Sequence, residues 1–288
     1  MNGTRSAGHQ TAPASDEIVR TAGSGSSPAI LASIAGSKTV EVLLTLIVYG
    51  VYAGVMALSL APAAWLLLST LPGIVQGVIG VPPLSGGMLR AAALGGMVLS
   101  GAFYAYLFAG TVVQSLFIRI VSLGLKPGRY PAISATTLRW LIFSGVATIA
   151  MRTVLPLIPV SFLINLFFRI VGCRMGRNVK INTAKISDAY LLTLGDDVVL
   201  GGDTDITCHL FEHNHLILQP VEIGSRTLIG ARSYIAPGVR IGSDCVIGLS
   251  SYLRSGRVIS DNTVVTSLAG IDVHTARAIE RGRLRARA

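Results

Sequence analysis

The sequence is short of charge, and the charge it has is one-sided. Only 13% of its 288 residues are Asp, Glu, Lys or Arg, about half the share of an ordinary soluble domain. No charged residue occurs between Val42 and Leu89, and none between Ala91 and Ile118. From Val42 to Ser187 there is no Asp or Glu, while eleven Lys or Arg are scattered through the same stretch. Mean hydropathy is +0.63. These absences exclude an ordinary soluble globule. Apolar runs of this length can cross a hydrocarbon core, which takes roughly 20 residues per helix.

Cysteine is scarce as well. Cys173, Cys208 and Cys245 are odd in number and far apart, which argues against a disulfide framework and for a reducing side for the C-terminal part. The basic residues flank apolar segments, and no aromatic stacking pattern accompanies them. The net charge of +10 is therefore read as positive-inside topology and attraction to the anionic headgroups of membrane lipids. No nucleic acid partner is expected.

Residues 1–37 are rich in Ser, Gly, Ala and Thr without an apolar period, and are expected to be a disordered tail. A secretory signal is not expected, because the first long apolar run begins after Lys38. Residues 38–170 are expected to form an α-helical membrane region. Val42–Leu60 reads as one span, with a kink at Pro62 before an interfacial run that carries Trp65. The breaker-rich segment 72–87 reads as a loop, and Ala91–Ile118 as the second span. Leu141–Ile170 is apolar, but Arg152, Pro156 and Pro159 lie near its centre. That combination predicts an interfacial or re-entrant helix pair rather than a lipid-exposed span. Two spans would leave Lys38, the basic 119–139 loop and the C-terminal part on one cytoplasmic face.

From Met175 the period changes. Met175 and Ile181, then Leu194, Leu200 and Ile206, fall at steps of six, with a one-residue slip between Ile186 and Leu194. After an interruption, Ile223, Ile229, Ile235, Ile241, Ile247, Leu253, Ile259 and Val265 continue the step without a slip. Glycine follows the aliphatic at positions 176, 195, 201, 224, 230, 242 and 248. A second column, four residues after each aliphatic (Val198, Thr227, Val239), reads as looser. A strict period of six is neither helical nor the alternation of an antiparallel strand. It predicts an all-β parallel β-helix over residues 171–266, with one aliphatic per face stacked into a linear core. Residues 267–288 form a basic C-terminal tail.

The segment IGSRTLIGARSYIAPGVRIGSDCVIG, residues 223–248, resembles the hexapeptide-repeat acyltransferases. This resemblance implies the left-handed coil, since general parallel crossovers are right-handed. It also implies a CoA-dependent transferase, usually a homotrimer with sites between chains. A second likeness is to membrane-anchored members such as the C-terminal domains of poly-lysine-synthetase-type proteins. In those, apolar helices lead into the repeat through a motif like RIVGCRMGRNVKI, residues 169–181, and a loop carries a His-Leu-Phe-Glu sequence. That sequence stands here as His209-Leu210-Phe211-Glu212. The next residue departs, since those relatives tend to have Asp where this chain has His213.

The histidines collect in that interruption, with His209, His213 and His215 inside seven positions. A histidine titrating near 6.5 is a suitable general base at neutral pH. The likeness implies that His209 is the base, with His213 as assistant or competitor. Glu212 could orient a histidine by accepting its other ring proton. The repeat match implies that Ala231, Ser250 and Ser251 hold acyl-CoA, acetyl-CoA or a longer relative, with Arg232 and Arg254 as phosphate partners. Ser255 stands where relatives often carry Lys.

No metal is expected, although three histidines could in principle hold Zn²⁺ as in a γ-carbonic-anhydrase-like metalloprotein. Cys208 as a covalent nucleophile is the weaker alternative. The reading is a membrane-anchored O- or N-acyltransferase, its catalytic domain cytoplasmic, acting on a hydroxyl or amine of a membrane-associated acceptor. A non-catalytic scaffold for envelope assembly stands as the rival.

Overall fold

The computed structural model describes residues 38–82 and 85–266. The tails expected at 1–37 and 267–288, with His9 and His274, lie outside the described residues. The described chain begins with helices α1 (Lys38–Gln76), α2 (Gly86–Ser122) and α3 (Ala135–Thr153), followed by the short α4 (Phe162–Val171). Three segments, Thr45–Gln76, Gly86–Ser122 and Ala135–Leu157, are long and apolar enough to cross a membrane. α1 runs through Pro62 and on through Pro72 to Gln76, so the loop expected over 72–87 begins only after Gln76. In apolar surroundings a freed backbone group has no water to turn to, so the helix persists around a proline.

The apolar stretch 141–170 is divided between α3 and α4. Arg152 is exposed in the last turn of α3, and Pro156 lies in the first positions of a 3-10 turn, Leu155–Leu157, where its missing N–H is harmless. Ser161 caps α4 by accepting from Ile164 N at 3.4 Å. Ile164, Phe167, Phe168 and Val171 lie on the buried face of α4, a contribution of about 2 kcal/mol each. The helix lies on the first β-helix coil, where Asn165 Nδ2 donates to Val179 O at 2.9 Å and Arg169 to Gly176 O at 2.6 Å. Just after α3, Val160 N donates to Ile181 O at 2.9 Å.

From Arg174 the chain forms a β-helix of parallel two- and three-residue strands stacked into three sheets, consistent with the left-handed hexapeptide coil. One sheet stacks Met175, Leu194, Ile223, Ile241 and Ile259, and the next stacks Ile181, Leu200, Ile229, Ile247 and Val265. The third stacks Ile206, Ile235 and Leu253, with Ile186 bridged to Ile206. All of these aliphatics are buried except Met175, which is half-buried.

The second column is stricter than its residue types suggest. Val179, Val198, Thr204, Thr227, Ser233, Val239, Cys245 and Ser251 are all buried at the same corner position. The hydroxyls fit because each donates to a backbone carbonyl: Thr204 to Gly201 O at 2.9 Å, Thr227 to Gly242 O at 2.9 Å, Ser233 to Gly248 O at 3.0 Å. The residue before each takes the left-handed conformation, among them Asn178, Asp203, Arg232, Asp244 and Ser250. The glycine after an aliphatic has a different cause. A Cβ on Gly230 would stand 2.4 Å from Leu249 N of the next coil.

The interruption after Ile206 is not a loop but a β-hairpin. His209–Glu212 pairs antiparallel with His215–Leu218, and the latter pairs on its other side with Gly128–Pro131, between α2 and α3. The two-residue turn, His213 and Asn214, has positive φ at both positions, 46° and 62°, as a type I′ hairpin turn requires.

Candidate functional site

The site is built where both irregularities of the repeat meet. The slip after Ile186 holds Asp188, in the left-handed conformation with φ 54°, at the start of a 3-10 turn Ala189–Leu191. Its carbonyl accepts from Leu191 N at 2.8 Å, which turns the side chain inward, 1% exposed. The carboxylate has two occupied oxygens. Oδ2 is 2.5 Å from His209 Nδ1, and Oδ1 accepts from Trp140 Nε1 at 2.7 Å.

His209 is the first residue of its strand, opposite buried Leu218, so its backbone is fixed by the hairpin and by the coil it leaves. Thr207 Oγ1 lies 3.3 Å from Nδ1, and the Trp140 ring meets the imidazole edge-on at 4.7 Å. The ring is 25% exposed, and among the described residues Nε2 has no hydrogen-bond partner. A carboxylate on Nδ1 selects the tautomer that leaves Nε2 free to accept a proton.

The surroundings are poorly solvated. Burial first, then the Asp188 charge, pushes the Cys208 thiol far above its ordinary range. The Tyr190 phenol is pushed far up by burial and then by Asp188. Cys208, fully buried and held as a thiol, has neither the access nor the ionisation of a nucleophile. Burial also raises the Asp205 carboxyl, against the opposing pull of Lys185 and His209.

The other expected residues are placed differently. Glu212 and His213 sit at the far end of the hairpin, roughly 10 Å along the strand from His209. Glu212 Oε1 faces His213 Nδ1 at 3.5 Å, and both side chains are exposed. The carboxylate on His209 is therefore Asp188, and Glu212 serves its turn neighbour. His215 Nδ1 bonds the carbonyl of His213 at 2.8 Å, so the three histidines do not converge. Among the described residues no three His, Cys, Asp or Glu are grouped to hold a metal ion.

Ala231 and Ser250 are brought together on neighbouring coils, Ser250 N donating to Ala231 O at 2.8 Å. Arg232 and Arg254 are exposed nearby in sequence. Ser251 points into the corner, its hydroxyl donating to Gly248 O at 2.7 Å.

Sequence reasoning missed Asp188 and Trp140. Asp188 carried a signal, since it is the first carboxylate after Glu41 and stands in the slip. Trp140 carried none, being an apolar residue in an apolar helix.

Comparison with known proteins agrees with the coil. Residues 220–255 match the family described as the hexapeptide repeat of succinyl-transferase. Delta-poly-L-ornithine synthetase of Acinetobacter baumannii is 28% identical over 136 residues, which is 47% of this chain and 10% of that protein. The chain thus spans about a tenth of the length of this relative. A hexapeptide-repeat acetyltransferase of Vibrio cholerae, solved with acetyl coenzyme A, is 23% identical, covering 33% of this chain and 55% of that one with a TM-score of 0.30. A maltose O-acetyltransferase of Clostridium difficile is 19% identical, covering 49% and 89% with a TM-score of 0.36. The repeat of residues 220–255 is thus similar to that of the hexapeptide-repeat transferases, and the chain has a distant match to a poly-amino-acid-synthetase-type protein.

Proposed function

We propose that this protein is a membrane-anchored, CoA-dependent acyltransferase with His209 as general base. The observation that carries the reading is the Asp188–His209 pair, 2.5 Å apart, with the outer ring nitrogen unpartnered among the described residues. An acceptor hydroxyl or amine attacks the thioester carbonyl of acetyl-CoA or a similar donor while Nε2 takes its proton. The new C–O or C–N bond forms, the C–S bond breaks, and the proton passes to the departing CoA sulfur. Asp188 holds the ring in the accepting tautomer and stabilises the transient imidazolium. The acyl-CoA lies along the corner of Ala231 and Ser250, with Arg254 toward its phosphates, while Ser251 is buried and supports that corner from within.

The acceptor is lipid-linked or amphipathic, since tethering beside a bilayer raises the local concentration of such a molecule. α1 and α2 cross the membrane, while α3 and α4 stay with the β-helix on its cytoplasmic side. Supporting this, Trp140 of α3 bonds Asp188, and Val160, in the link from α3 to α4, bonds Ile181. The outward column Leu228, Val246 and Val264, each more than 40% exposed, supports assembly of copies as a homotrimer.

The test is transfer of labelled acetyl from acetyl-CoA to the lipid and metabolite extract of the producing cells. The full-length protein should release CoA and label a product, and His209→Ala should abolish both. Turnover that survives both His209→Ala and His213→Ala would sink the mechanism and favour a scaffold.

A further inference from the structure

We infer that Trp140, on helix α3, is a positioning residue for His209, acting through Asp188, so that the helical region completes the active site. The inference rests on the base role proposed for His209. A carboxylate buried to 1% exposure needs partners for both oxygens. His209 supplies one, and the indole N–H of Trp140 supplies the other at 2.7 Å. With Oδ1 anchored, rotation about the carboxylate is blocked and Oδ2 is aimed at Nδ1. The Trp140 ring itself walls the imidazole, edge-on at 4.7 Å, and touches Phe211 at 5.9 Å. The charged and titratable groups around the pair are Asp205, Tyr190 and Cys208. None of them is hydrogen-bonded to Asp188.

The chain supplies a reason for the helix to be held there. The Gly128–Pro131 strand pairs with the His215–Leu218 strand of the histidine hairpin. Three residues on, Ser134 caps α3, and the Thr137 hydroxyl donates to Pro131 O at 2.8 Å. The hairpin that carries His209 and the helix that carries Trp140 are thereby joined through one hydrogen-bonded strand, and Asp188 is bonded to both of those side chains.

The deciding variant replaces Trp140 with benzothienylalanine, which keeps the bicyclic shape and has sulfur where the indole has N–H. Trp140→Phe is the second variant, and unchanged thermal unfolding of the isostere shows that packing is kept. The readout that does not depend on turnover is nitrogen NMR of histidine-labelled full-length protein in detergent, with the His209 signals identified by their loss in His209→Gln. In the parent protein the neutral His209 ring should carry its proton on Nδ1. In the isostere the Nε2–H form should rise severalfold, and CoA release should fall about tenfold through kcat with KM for acetyl-CoA unchanged, as expected for loss of a hydrogen bond to a charged group. An unchanged tautomer ratio in the isostere overturns the inference. A shifted ratio, together with CoA release indifferent to His209→Ala, would leave Trp140 as the positioning residue and overturn the proposed function instead.

Discussion

Asp188 and His209 are 21 residues apart in the sequence and 2.5 Å apart in the structure. Each stands where the six-residue repeat is broken. The slip turns Asp188 inward, and the hairpin that replaces a strand step brings His209 over it. The regular coil places its outward residues in solvent and its inward ones against aliphatics or backbone carbonyls.

Asp188→Asn should keep the shape of the pair and its contact with Trp140 while losing the preference for a proton on Nδ1. Acyl transfer should fall by about 10²–10⁴-fold, carried by kcat. Steady-state kinetics of CoA release checks this, and a loss confined to KM would contradict it.

The membrane arrangement is checkable by thiol labelling in sealed vesicles, because Cys173, Cys208 and Cys245 are all buried. Ile79, in the turn between α1 and α2, is 75% exposed, and Ser255 is exposed on the β-helix. With α1 and α2 alone crossing, Ile79→Cys and Ser255→Cys should react from opposite sides. Labelling of both from the same side would mean that α3 crosses too.

The buried corner hydroxyls predict a stability cost. Thr227 Oγ1 donates to Gly242 O at 2.9 Å and accepts from Cys245 N at 3.2 Å. Thr227→Val keeps the volume and strands both backbone groups, so the β-helix should lose about 2 kcal/mol. Denaturant unfolding of the variant should show this, and a neutral result would mean that the second column is held by volume alone.

Alkaline pH should weaken the fold through Cys173. Its thiol is pushed up to about 12 by burial, against the opposing pull of Arg169 and Arg174, from an ordinary value of 9.0. Below 9.0 both folded and unfolded states hold the proton and the group is silent. Above it the unfolded chain releases a proton that the folded chain keeps, so stability falls as pH rises toward about 12. Unfolding measured on either side of pH 9.0 should show a steeper decline for the parent protein than for Cys173→Ala.

Much of this molecule was legible in the sequence because its parts have a period. The core column was readable residue by residue, since each of those aliphatics is the inward residue of its strand. His209 could be ranked first among the histidines through the His-Leu-Phe-Glu likeness, and it is the one the fold half-buries against a carboxylate. The second column misled by its hydroxyls, whose partners are backbone carbonyls of the same or the next coil. Pro72 misled because it reads as a breaker in the sequence, yet α1 continues through it to Gln76.

The sequence by itself determined the stacked coil and the apolar helical region, because both follow from spacing and composition that need no partner to be recognised. Only the tertiary structure decided which carboxylate serves His209. Glu212 lies three residues away on an extended strand and so points off along the hairpin. Asp188 comes from the previous coil and Trp140 from a helix before the repeat begins. Proximity in a strand is governed by local geometry, whereas this pair of hydrogen bonds exists because the slip, the hairpin and α3 meet at Asp188.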